Sequence, residues 1–110
     1  MNKYMVLYLA PVTADDMWQN ISAEESEGIM ALWMAWFKKH EDAILEGGSP
    51  LGNGMNFTKT GRSNPQSQAT GYNIMQAADL NSAQAMLSDH PHYMVPGASI
   101  DVLEMMSMAR

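Results

Sequence analysis

A chain of 110 residues with 46% hydrophobic and 16% charged side chains has the length and composition of one globular domain, residues 1–110, around a modest core. Twelve acidic against six basic residues leave a formal charge of −6, which repels a phosphate backbone and speaks against a nucleic-acid partner. The lack of cysteine removes disulfides, thiolate nucleophiles and zinc–thiolate centres, and suits a cytoplasmic location.

The first apolar run ends at Pro11, too short for a membrane span and without the form of a signal peptide. Residues 4–9, Tyr-Met-Val-Leu-Tyr-Leu, read as a strand by residue type and length. Ser22 with Glu25 three residues later forms a capping box. Ile29, Leu32, Trp33, Trp36 and Phe37 follow at i, i+3, i+4, i+7 and i+8, an amphipathic helix. Its early glutamates and its late Lys38, Lys39 and His40 suit the helix dipole. Gly47 and Gly48, with Pro50 beyond, set the latest point at which this helix can end.

Residues 51–60 read as a weak strand interrupted by glycine, and 61–68 as a polar turn. Residues 72–77 form a clear strand. Asp79 or Asn81 caps a short helix with Leu80, Ala83, Met86 and Leu87 on its apolar face, and Pro91 stops it. Residues 99–106 form the last strand. The order strand, helix, strand, strand, helix, strand is the α+β, ferredoxin-like βαββαβ pattern, an antiparallel sheet with both helices on one face.

Such a sheet should alternate apolar and polar residues. Here Tyr4, Val6 and Tyr8 oppose Met5, Leu7 and Leu9, and Ile100, Val102 and Met106 oppose Leu103 and Met105. Both faces are apolar, and the helices cover one. The expected solution for the other is a homodimer in which two sheets pack face to face.

Leu87-Ser88-Asp89-His90-Pro91-His92-Tyr93 holds two of the three histidines. His90 and His92 can exchange protons near neutral pH, with Asp89 or Asp101 as an orienting carboxylate. The same stretch also reads as a plain helix stop, because the residue before a proline is pushed to extended geometry. His40 lies on the apolar stripe, i+4 from Trp36, and reads either as a pocket wall or as a helix-end histidine at the core rim. Tyr8, Trp33, Trp36, Tyr72 and His40, with Trp18, are candidates to line a small-molecule pocket. His90 and His92 match no known metal-ligand spacing. The tail methionines 105, 106 and 108 are soft donors for copper(I), but most of the twelve methionines occupy positions that also read as core. No metal and no cofactor are expected.

The runs Lys3-Tyr4-Met5-Val6-Leu7-Tyr8, Gly71-Tyr72-Asn73-Ile74-Met75-Gln76-Ala77-Ala78-Asp79-Leu80 and His90-Pro91-His92, with Gly97-Ala98-Ser99-Ile100-Asp101-Val102, resemble the YCII-related family in its DGPF-domain branch. The similarity spans nearly the whole chain on short motifs. It implies a dimeric α+β barrel, the superfamily of several isomerases, dehalogenating lyases and monooxygenases of aromatic compounds. It also implies chemistry through a His–Asp pair in a pocket. The Asp-Gly-Pro-Phe motif itself is replaced by Ser63-Asn64-Pro65-Gln66, which leaves any role of that aspartate without its residue. The functional expectation is a histidine-mediated proton transfer, of isomerase or lyase type, on a small cyclic or aromatic molecule. The alternative is a non-catalytic small-molecule-binding or accessory dimer.

Overall fold

The computed structural model describes residues 1–12, 16, 19–65 and 67–108; Trp18 and Gln66 lie outside them. The elements are β1 (Asn2–Leu9), α1 (Ala23–Lys39), β2 (Ile44–Pro50), β3 (Asn56–Thr58), β4 (Gly61–Ser63), β5 (Ala69–Ala77), α2 (Leu80–Leu87), a 3-10 turn (Pro91–Met94) and β6 (Ser99–Glu104). Strands β2, β5, β1 and β6 form one antiparallel sheet in that order. This is the ferredoxin-like arrangement, with a separate β3–β4 hairpin inserted between its second and third strands.

The ends of the helices follow their local chemistry. Ser22 accepts a hydrogen bond from the Glu25 backbone N–H at 3.1 Å, so the cap forms, though the Glu25 carboxylate turns to the Ser22 hydroxyl at 3.3 Å. Asp79 rather than Asn81 caps α2, through the Ser82 N–H at 2.8 Å. The first helix ends well before the two glycines. His40 leaves helical geometry (φ −112°, ψ 23°), and its carbonyl receives the N–H groups of Ala43 and Ile44.

The strand expected at 51–60 is therefore displaced: β2 is already under way at Ile44 and contains Gly47 and Gly48. The glycines belong to an irregular stretch of β2, whose register against β5 shifts twice. Gly48 has φ +72°, and a Cβ there would sit 1.7 Å from the Tyr72 carbonyl oxygen. Only glycine lets β2 lie this close to β5. The last strand stops at Glu104, and Met106 beyond it is exposed.

Period-two alternation decides the faces. Tyr4, Val6 and Tyr8 of β1 and Met75 and Ala77 of β5 are buried with Trp36, Ala83 and Leu87 in one core. The Trp36 indole N–H donates to the Met86 carbonyl at 3.0 Å, which ties α1 to α2 above the same face. On the other face Met5, Leu7, Leu9, Tyr72 and Ile74 are only half-buried, and Leu103 is 54% exposed. No helix among the described residues is long and apolar enough to cross a membrane.

The molecule measures 44 × 41 × 20 Å, with a radius of gyration of 15.3 Å. A compact chain of this length would have about 13 Å. The difference is that of a two-layer slab whose sheet is uncovered on one side.

Candidate functional site

The local sequence builds the site by ending α2 in stages. His90 donates its N–H to the Leu87 carbonyl at 3.1 Å. The pre-proline position holds it extended (φ −65°, ψ 136°), and Pro91 opens the 3-10 turn. That turn brings the His92 N–H onto His90 Nδ1 at 2.9 Å. The His90 ring then inserts among three aromatic rings, with centroids 4.7 Å from Tyr8 and 4.5 Å from each of Trp33 and Trp36. It is 2% exposed. Burial, foremost, pushes its pKa down to about 3, with the charges of His92 and His40 adding and Asp89 opposing. The ring is neutral. With Nδ1 accepting, the proton resides on Nε2. That N–H is buried and has no acceptor among the described residues.

His92 is equally buried. Its Nε2 lies 2.8 Å from the Leu9 carbonyl oxygen, which can only accept, so this nitrogen donates and pins the turn to the end of β1. Burial, foremost, lowers its pKa, partly offset by the backbone of Leu9 and Ser99. The Tyr8 hydroxyl donates to the Asn73 side-chain oxygen, and burial raises the Tyr8 pKa. Asn73 is wholly buried, and its amide nitrogen has no partner among the described residues. His40 packs on Trp36 at 4.9 Å, half-buried at the helix end, with a buried Nε2 that has no partner among the described residues. Buried polar atoms in folded proteins are nearly all paired. Asn73 is hydrogen-bonded to the Tyr8 hydroxyl, and the tilted rings of His90 and His40 both pack on Trp36, so all three orphans belong to one aromatic cluster.

A cleft of about 460 Å³ opens between α1 and the 3-10 turn. Leu32, Ala35 and Trp36 form one wall, Pro91, Tyr93 and Met94 the other, and His90 lies at the wall between them. Lys39 and Asp89 pair across the rim at 2.9 Å. Between the sheet and α1, Tyr8, Trp36 and His90 pack against one another.

The expected residues thus separate into two groups. Tyr8, Trp33, Trp36, His40, His90 and His92 come together. Asp89 is near in sequence, but its carboxylate is held by Lys39, whose hydrogen bond lowers its pKa, and it orients neither imidazole. Asp101 lies on the other face, exposed and in register with Leu7, so the sheet separates it from both histidines. Tyr72 is also on that face, its hydroxyl donating to Glu46 at 2.7 Å. Asn73 was absent from the sequence expectation, although a polar residue in phase with Met75 and Ala77 in a strand is a readable signal. Among the described residues no group of three or more His, Cys, Asp or Glu is placed to hold a metal ion.

No family model matches this chain, and no curated protein matches it. Among solved structures it is similar to 5-chloro-2-hydroxyhydroquinone dehydrochlorinase (TftG) from Burkholderia phenoliruptrix AC1100, in complex with 2,5-dihydroxybenzoquinone. The identity is 14%, over 92% of this chain and 91% of that one, with a TM-score of 0.50. A likeness at that identity is one of fold, and the neighbour is a dimeric α+β barrel protein. The chain has the ferredoxin-like α+β fold found in that superfamily.

Proposed function

We propose that this protein binds a small aromatic or cyclic compound carrying an acceptor oxygen, in the cleft between α1 and the 3-10 turn, as a YCII-like homodimer of the cytoplasm. Two observations carry the reading: the buried His90 Nε2–H, which lacks an acceptor among the described residues, and the place of His90 in the lining of an apolar cleft. A ligand oxygen supplies the missing acceptor, and the Trp36 and Tyr93 rings supply apolar walls. The ligand solved with TftG, 2,5-dihydroxybenzoquinone, is of this class.

In this reading His90 is a neutral hydrogen-bond donor. It polarises a carbonyl or phenolic oxygen instead of removing a proton, because its other nitrogen is occupied by the His92 N–H. Turnover would be of isomerase or lyase type. A second reading, binding without turnover, is favoured by a separate observation: the Asp89 carboxylate is hydrogen-bonded to Lys39, and Asp101 lies on the other face of the sheet.

Nitrogen-15 NMR of the imidazoles during titration with hydroxylated aromatics and cyclic ketones tests the binding. The His90 Nε2–H resonance should move on addition of ligand and remain neutral from about pH 8 to 5. His90→Phe should lose binding at least tenfold. Three histidines titrating near 6.5 and indifferent to every compound would sink the proposal. Turnover of a bound compound separates the two readings.

A further inference from the structure

The cleft holds a charged group that hydrogen bonding to His90 leaves unused. Leu32, Ala35, Trp36 and Lys39 line it at i, i+3, i+4 and i+7 of α1, one row along a single helix face. Lys39 is the last residue of that helix, so the row runs from apolar side chains to a cation. The adjacent Lys38 pairs with Glu41 at 3.2 Å and takes no part in the lining. Among the described residues that line the cleft, Lys39 is the one cation and Asp89 the one acid.

Asp89 aims the Lys39 ammonium. Its Oδ2 accepts from Lys39 Nζ at 2.9 Å, and this bond joins the end of α1 to the residue before His90. The ammonium is thereby held at the cleft instead of swinging out from the helix end. It has three donors; Asp89 takes one, and the others have no partner among the described residues. The side chains of the pair are 63% and 54% exposed, so the pair adds little to stability, and a ligand oxygen can reach the free donors. His90 packs on Trp36 at 4.5 Å, and Lys39 follows Trp36 by three residues, with Cβ atoms about 5–6 Å apart on a helix. The two donors are therefore separated on the scale of one aromatic ring bearing an oxygen at each end.

We infer that Lys39 is a specificity-determining contact of the cleft and that the ligand is an aromatic acid. One of its oxygens accepts from the His90 Nε2–H, and a carboxylate at the opposite end accepts from Lys39. The inference rests on the cleft reading above and narrows it. A cationic ligand does not suit the same groups: it would meet the Lys39 ammonium at one end and a donor at the other, with Asp89 already engaged. The Asp89 charge opposes a ligand carboxylate, which keeps the preference for an acid moderate.

Calorimetric titration of the full chain tests this with 4-hydroxybenzoate and its neutral isostere 4-hydroxybenzamide. The wild type is compared with Lys39→Met, which keeps an apolar stem, and with Lys38→Met, which makes the same change in net charge outside the cleft. The wild type should bind the acid at least about fivefold more tightly than the amide. Lys39→Met should erase that preference while binding the amide within about twofold of wild type, and Lys38→Met should keep the preference. Four results overturn the inference and leave the cleft reading standing: equal affinity of the wild type for both probes, a preference that survives Lys39→Met, one that Lys38→Met removes as fully, or equal weakening of both probes by Lys39→Met. Binding of neither probe also overturns it. The cleft reading falls as well only when His90 ignores the other hydroxylated aromatics and the cyclic ketones.

Discussion

A histidine held neutral inside a protein links its stability to pH. In the folded chain the His90 pKa is about 3, while in the unfolded chain it returns to about 6.5. Between those values the unfolded state carries a proton that the native state refuses. Stability from this group is complete above about pH 6.5 and drains as pH falls towards 3, at up to about 1.4 kcal/mol per pH unit. His92 is lowered in the same sense and adds to the slope. His90→Gln removes one of the two linked protons. Urea midpoints from pH 7 to 5 should therefore fall less steeply in the variant, by about one proton. Equal slopes would mean that His90 is solvated in the native state.

At this scale the sequence was informative about the stretch itself. His90 does sit extended before Pro91, and His92 does follow it onto a common turn. What the sequence could not supply was each carboxylate's partner. Lys39 is fifty positions from Asp89, and only the packing of α1 against the turn brings them together. Asp101 illustrates the opposite case: one residue of strand parity sends it to the far face of the sheet.

Glycine pairs show how an element can be misread when a residue has more than one reason to be there. Gly47 and Gly48 resemble a helix stop, yet His40 has already ended α1, and the pair belongs to β2. The two differ sharply. Gly47 has open space where a Cβ would go, whereas Gly48 is at positive φ against the Tyr72 carbonyl. Gly48→Ala should cost at least about 2 kcal/mol, from left-handed strain and displaced strand pairing. Gly47→Ala should stay within about 0.5 kcal/mol. Urea denaturation of the two variants distinguishes a glycine the strand needs from one it tolerates, and equal costs would contradict the bulged register. The other elements were legible because several signals agreed: the Ser22 and Asp79 caps, the tryptophan stripe and the alternation of β1 and β5. The β3–β4 hairpin was not, since three-residue strands carry no periodicity to read.

The proposed dimer must bring like charges together. Each chain carries a formal −6, and the open face presents Glu46 and Asp101 among Leu7, Ile74 and Leu103. Attraction there is apolar, and the charge opposes it. At low salt, with a Debye length of about 30 Å near 0.01 M, the repulsion reaches across the whole interface. Near 0.15 M the length shrinks to about 8 Å, and only charges at the contact still oppose association. Raising salt should therefore tighten the dimer several-fold in sedimentation equilibrium, the reverse of an interface held by ion pairs. Leu7→Glu places a further carboxylate at the centre of the face, in register with Asp101 and Tyr72. It should abolish dimerisation while leaving the monomer folded, because Leu7 points away from the core that Val6 and Tyr8 enter. Val6→Glu, one residue earlier, should unfold the chain. A dimer weakened by salt and indifferent to Leu7→Glu would place the contact on another surface, and the uncovered sheet would need a different partner.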